Sequence, residues 1–221
     1  MVLRIEGVTK NYNHHGRPVA GLSEATLEFP KGDFVSVVGP SGSGKSTLLL
    51  VSGGMLSPTK GRVLLDEQSL YDLSADQRAS VRRKKIGFLF QTFNLVPYLS
   101  ALENVQLPLW LAGVDEVSQR ERASALLQRV GLGDRLDHKP SELSVGEQQR
   151  VALSRALAND PEIILADEPT GNLDPDTSQQ IMGFLNEINE EGRTIVMVTH
   201  DPRHAARAKR TVKLVAGRLC S

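Results

Sequence analysis

Four apolar runs punctuate the chain, over residues 34–38, 86–90, 163–166 and 194–198, and none shows the regular apolar/polar alternation of a half-exposed strand. Strands buried on both faces read this way, so the pattern predicts a parallel sheet covered by helices on each side. Capping signals mark where some of those helices begin. Asp174 precedes Pro175 and Asp201 precedes Pro202, each an N-cap residue ahead of a proline at the first helical position. Residues 1–6 alternate as a short N-terminal strand, and 211–219 read as a closing hairpin around Ala216-Gly217.

Between residues 92 and 143 the pattern is helical throughout. Ser100 with Glu103, and Ser118 with Glu121, are spaced as capping boxes, while Ala123, Leu126, Leu127 and Val130 line one apolar face that ends at Gly131. The expected architecture is therefore α/β and a single domain. Its core spans about 1–91 and 144–221, with a mostly parallel sheet and an antiparallel β portion at the N-terminus, and a helical subdomain is inserted at about 92–143.

Composition removes several function classes. Twenty-six basic and twenty-six acidic side chains cancel, which gives a nucleic-acid partner no electrostatic support. The basic cluster Arg82-Arg83-Lys84-Lys85, preceded by Arg78, has no interleaved aromatics and reads as a solvated helix face. The single cysteine, Cys220, rules out an intramolecular disulfide and suits a reducing cytoplasm. The N-terminus lacks the pattern of a signal peptide, and no apolar run reaches the length of a membrane span.

The first apolar run leads directly into GPSGSGKST, residues 39–47. By composition alone, two glycines at that spacing before Lys and Ser or Thr would arise in roughly one chain in a hundred of this length. Strand, glycine-rich turn and helix start follow in the order that a phosphate-binding loop requires. Gly42 and Gly44 can take positive φ, so that the backbone N–H groups of Gly39, Ser41, Ser43 and their neighbours converge on phosphate oxygens ahead of Thr47. Lys45 would reach the β and γ phosphates, and the Ser46 hydroxyl would bind Mg2+. The bland alternative is a Gly/Ser turn that only reverses the chain. A second apolar strand ends in Asp167-Glu168, where open α/β sheets build their sites. Asp167 would hold Mg2+ through a water, and Glu168 would take a proton from the water attacking the γ-phosphate. Alone, the pair reads equally well as loop or helix-dipole carboxylates.

Taken together, these elements resemble the nucleotide-binding subunits of ATP-binding cassette transporters over essentially the whole chain. The resemblance rests on the phosphate loop, Gln91 in FLFQTFNLVP, LSVGEQQR over 143–150, the acidic strand, Gly171-Asn172-Leu173-Asp174, and His200 in Val198-Thr199-His200-Asp201. It implies ATP and Mg2+ as cofactors. Gln91 would coordinate Mg2+ or the attacking water, His200 would donate a hydrogen bond to the γ-phosphate, and Tyr12 would stack on adenine. It further implies a head-to-tail dimer of two copies, in which Ser144, Gly146 and Glu147 of one meet the phosphate loop of the other and Asp174 lies at the interface. Val145 and Glu147 depart from the usual LSGGQ. Glu147 can still close a capping box with Ser144, but its charge competes with nucleotide for the same helix end.

PTGNLD over 169–174, the stretch 93–113 and the short length are similar to the subgroup that serves lipoprotein release and macrolide-type export. Such subunits dock on separate integral membrane permeases, which implies a cytoplasmic protein peripheral to the inner face of the membrane. A groove near residues 91–98 and the helix over 102–110 would receive the permease's cytoplasmic helix, although Leu107, Leu109 and Trp110 read mostly as core of the helical subdomain. Two other classes compete. A soluble cassette ATPase of nucleic-acid maintenance or translation usually carries a coiled-coil insertion, zinc modules or a second cassette, and none is visible. A non-hydrolysing ATP sensor has no need of Glu168 and His200.

Overall fold

The computed structural model describes residues 2–14 and 17–220. The chain opens with β1 (Val2–His14) and β2 (Arg17–Pro30), antiparallel partners, followed by β3 (Phe34–Val38) and α1 (Lys45–Ser52). Next come β4 (Lys60–Leu65), β5 (Gln68–Ser69), α2 (Ala75–Lys85) and β6 (Ile86–Leu89). Only helices lie between β6 and the next strand: α3 (Ala101–Leu111), α4 (Glu116–Arg129), two short 3-10 turns (Gly133–Arg135 and Pro140–Glu142) and α5 (Val145–Leu157). β7 (Ile163–Asp167), α6 (Pro175–Glu190), β8 (Thr194–Thr199), α7 (Pro202–Ala205), β9 (Arg210–Val215) and β10 (Arg218–Cys220) complete the order.

Two sheets result. The N-terminal one is antiparallel, in the order β2-β1-β4-β5. The central one runs β10-β9-β3-β8-β7-β6, parallel except for β10. Its strands bury successive side chains in opposite directions. Val35, Val37, Val196 and Val198 join Leu48 and the N-terminal residues Leu3, Ile5 and Phe29 in one core. Phe34, Ile195 and Met197 join Leu102, Val105, Leu127 and Leu153 in the other. Two covered faces explain the continuous apolar runs. The strand order also places the C-terminal ends of β3, β8 and β7 side by side, so that residues distant in sequence share one edge.

Several expectations shift. The N-terminal strand extends to His14 rather than ending near residue 6, because register shifts between Ile5 and Val8 and again beyond break its alternation. The Ser100–Glu103 capping box is formed in full. The one proposed at Ser118 and Glu121 is not: α4 begins earlier, capped by Asp115, whose carboxylate accepts the Ser118 N–H at 3.0 Å. An anionic cap beside the positive helix end suits the start of that helix. Helix α3 divides its apolar residues, with Leu109 buried, Leu107 half-buried and Trp110 65% exposed, so Trp110 is not core. The basic residues of α2 are also more engaged than a free solvated face. Arg82 donates to Gly54 O, Arg83 to Leu111 O, and Lys85 pairs with Asp66 and Glu162.

Candidate functional site

The loop from Gly39 to Gly44 joins β3 to α1, and each glycine there has its own reason. A Cβ on Gly39 would lie 2.1 Å from Leu214 O, and one on Gly44 would lie 2.1 Å from Gly21 O. Gly42 has φ 74° and faces open space. Gly44 starts the helix in the left-handed region, at φ 102°, with no side-chain cap, so the first N–H groups of α1 remain available to an anion. Ser43 Oγ is buried without a partner, while Ser43 O accepts the Gly217 N–H at 2.9 Å and ties the loop to the C-terminal hairpin. Lys45 is buried and folds back on the loop, its Nζ donating to Gly39 O at 2.8 Å and Pro40 O at 3.1 Å. Ser41 is exposed at the rim.

On the flank of α1, the Tyr12 hydroxyl and Thr47 Oγ1 are 3.0 Å apart. Lys10 Nζ sits 5.6 Å from the centre of the tyrosine ring, and Gly21 is close enough that a Cβ would come within 2.6 Å of it. Tyr12 as a whole is 39% exposed.

Across the sheet edge, Ser46 Oγ donates to Asp167 Oδ1 at 3.2 Å. Burial pushes the Asp167 carboxyl above the usual aspartate range, opposed by this hydrogen bond. Glu168 adopts φ 45°, and its Oε2 accepts the His200 backbone N–H at 3.3 Å and lies 3.0 Å from His200 Nδ1. Glu168 is largely enclosed, whereas the His200 ring is 68% exposed. Gln91 reaches the same neighbourhood. Its carbonyl accepts from Asn172 Nδ2 at 3.2 Å, and a Cβ on Gly171 would stand 3.1 Å from its Nε2.

Among the described residues no hydrogen bond joins the segment 144–147 to 39–47. Ser144 and Glu147 close their capping box, with Glu147 N donating to Ser144 Oγ at 3.2 Å and Ser144 N to Glu147 Oε2 at 2.8 Å. That backbone bond, aided by Arg135 at 3.6 Å, holds the Glu147 carboxyl below its ordinary range. Gly146 packs on α6, where a Cβ would meet Thr177 Cγ2 at 2.5 Å, and Val145 is exposed. Asp174 caps α6 through the N–H groups of Asp176 and Thr177.

Three linking residues escaped the sequence reading. Buried Asn104 donates to Val96 O, Leu99 O and Ser100 O and accepts the Val96 N–H, which fixes the loop after Gln91. Arg155 donates to Phe93 O and Asn94 O, both at 2.6 Å, and Gln149 donates to Pro169 O. Polar residues on the inner side of a helix carry no periodic signal, so only their partners reveal them.

A glycine cradle at a helix start, a lysine within it and an acidic strand end beside it define a P-loop nucleotide-binding cassette. The profile of the ABC transporter family matches residues 22–171, and the chain belongs to that family. It is 48% identical over 219 residues to the macrolide export ATP-binding/permease protein MacB of Syntrophobacter fumaroxidans, covering 98% of this chain and 31% of that protein. An uncharacterized ABC transporter ATP-binding protein of Thermotoga maritima is 46% identical over 218 residues, covering 99% and 93%. The chain spans about a third of the length of the MacB relatives it matches. Among solved structures, the dimeric post-hydrolysis state of the cassette MJ0796 bound to ADP and Pi superposes with a TM-score of 0.94 at 44% identity, covering 100% of this chain and 97% of the other.

Proposed function

We propose that this chain binds Mg2+-ATP and hydrolyses it to ADP and phosphate, acting as the motor of a membrane transport or mechanotransmission complex. The adjacency that carries the reading is Glu168 Oε2 within 3.0 Å of His200 Nδ1, next to the Ser46–Asp167 pair and the glycine cradle. The residues suit the ligands. An unpartnered buried hydroxyl and an uncapped helix start fit phosphate oxygens, and a hydroxyl beside a carboxylate fits a hard cation that also keeps water ligands. Mg2+, when bound, supplies charge neutralisation on the β and γ phosphates.

Lys45 exchanges its two loop carbonyls for the β and γ phosphates, Ser46 and Asp167 hold the metal side, and Gln91 orients water or metal. Tyr12 stacks on the adenine. Glu168 accepts a proton from the attacking water as the bond between the γ-phosphorus and the bridging oxygen breaks, and His200 donates a hydrogen bond to the departing phosphoryl group. The lack of any hydrogen bond between 144–147 and 39–47 among the described residues, together with the dimeric structures of the similar MJ0796, supports completion of the site by Ser144, Gly146 and Glu147 of a second copy.

The cassette is one domain with its core at about 1–91 and 144–221 and a helical subdomain at about 92–143. Between these parts runs an apolar groove of about 590 Å³, floored by Phe88, Phe90 and Leu107 and edged by Arg82 and Arg83. It lies nearer the C-terminal half of α3 than the sequence suggested, since of residues 91–98 only Asn94 lines it. A permease helix is its occupant, and this docking holds the cassette at the inner membrane face. No described helix is long and apolar enough to cross a membrane. The test is Glu168→Gln: ATP binding persists, turnover falls by at least about a hundredfold as for loss of a general base, and an ATP-bound dimer accumulates on gel filtration. Near-normal turnover removes Glu168 from the mechanism.

A further inference from the structure

Histidine 204 lies outside every motif that led to the nucleotide site, yet its ring ends at that site's supporting loop. It belongs to α7, the single turn that follows His200 and is capped by Asp201, whose carboxylate accepts the Arg203 N–H at 2.8 Å. His204 Nδ1 lies 2.8 Å from Thr170 Oγ1 and 3.7 Å from Asp201 Oδ2. Thr170 is 6% exposed and the imidazole 17% exposed, so water competes little for the contact. A hydroxyl can donate or accept by rotating, so the contact persists whichever ring nitrogen carries the proton.

What this bond restrains is the turn that follows Glu168. Gly171 N donates to Glu168 O at 3.0 Å and Leu173 N to Thr170 O at 3.2 Å, which makes residues 168–173 one compact turn. In these surroundings Glu168 holds a left-handed φ of 45°, uncommon for a non-glycine residue. Those surroundings are loose on one side. A cavity of about 230 Å³ is lined by Glu168, Thr170, Thr199, His200, Asp201 and His204, so the turn is not close-packed on that side. The His204–Thr170 contact closes one edge of that space, at a point two residues beyond Glu168 and four beyond His200.

We propose that His204 is a positioning residue: through Thr170 it fastens the turn bearing Glu168 to the helix that follows His200, and so sets the spacing of the catalytic pair. The inference rests on the reading of Glu168 and His200 given above and adds a residue that acts on them without touching the nucleotide.

Steady-state ATPase assays on the full chain with Mg2+-ATP test it, with four single variants and one double. His204→Leu and Thr170→Val keep the volumes and delete the contact; each lowers kcat about tenfold and leaves KM within about twofold. His204→Asn, whose amide overlaps the Nδ1 position, and Thr170→Ser, which keeps the hydroxyl, recover most of the lost kcat. The double variant His204→Leu with Thr170→Val is no slower than the slower single, as for two halves of one interaction. A kcat within about twofold of the parent for either deletion, multiplicative losses in the double, or no recovery with Asn and Ser overturns the inference. Should His204→Leu not fold, the Thr170→Val and Thr170→Ser pair decides the question by the same criteria. Glu168→Gln, assayed alongside, separates the two ideas: normal turnover there defeats the reading of the site, whereas an inactive Glu168→Gln with a fully active His204→Leu defeats only the role of His204.

Discussion

Gln149 Nε2 donates a hydrogen bond of 2.6 Å to the carbonyl oxygen of Pro169, and the glutamine is fully buried. The donor sits in α5, which Ser144 caps and whose first turn carries Gly146, and the acceptor follows Glu168 directly. A single contact therefore connects the helix proposed to meet a second copy with the backbone of the proposed base.

Gln149→Leu keeps the volume and strands the Pro169 carbonyl. An unsatisfied buried acceptor costs about 1–3 kcal/mol, offset in part because the variant also removes Gln149 Oε1, itself buried without a partner, and urea unfolding reads the net loss. Turnover should fall while the dissociation constant for ATP, measured by calorimetry, stays close to the parent's, because no phosphate contact is lost. A variant of unchanged stability and turnover would show that the contact is idle.

Asp167 gives a stability that depends on pH. Burial raises its folded pKa above the ordinary value of 3.8, so between those two values the folded chain holds more proton than the unfolded chain. Stability from this group is greatest in acid, declines as pH rises through that window, and at neutral pH the full cost of the buried charge is present. Asp167→Asn should therefore raise the melting temperature of the nucleotide-free protein at pH 7 and flatten its acid-side dependence. The same variant should lose the extra stabilisation that Mg2+ adds to ATP. Thermal melts with and without Mg2+ check both.

Glu147 is already engaged, by Ser144 N–H and by Arg135 at 3.6 Å. Its charge therefore competes with nucleotide less than an isolated glutamate would. Glu147→Gln combined with Val145→Gly should raise turnover by no more than about threefold, given the modest worth of an exposed ion pair. Arg135→Ala should lower turnover in the parent and leave it unchanged when Glu147→Gln is also present. Equal effects of Arg135→Ala in both backgrounds would disconnect the arginine from Glu147.

Leu111 is 51% exposed at the edge of the apolar groove, so a charge there does not disturb a core. Leu111→Glu should leave the ATPase of the isolated cassette at the parent level and abolish co-purification with the proposed membrane permease. Retained co-purification would move the docking surface elsewhere.

Local chemistry made much of the fold legible. Runs such as Ile163-Ile164-Leu165-Ala166 announce strands buried on both faces because each side chain faces one of two cores, and the observed strands end within a residue of those expected at 34–38, 86–90, 163–166 and 194–198. Where a bulge broke the period, in β1, the strand was read too short, and its partner β2 had no local signature strong enough to bound it. At Ser118 two capping signals overlapped within one turn, and the carboxylate of Asp115 began the helix.

The site divides along the same line. Short motifs of fixed spacing, such as the glycines around Lys45 or the carboxylates after a buried strand, carry their chemistry in consecutive residues, so the sequence alone determined them. Contacts such as Ser46 with Asp167, Gln149 with Pro169 and His204 with Thr170 join residues 121, 20 and 34 positions apart. Only the tertiary structure decided these, because a hydrogen bond depends on distance and direction in space, and the order of β3, β8 and β7 across the sheet sets which strand ends meet.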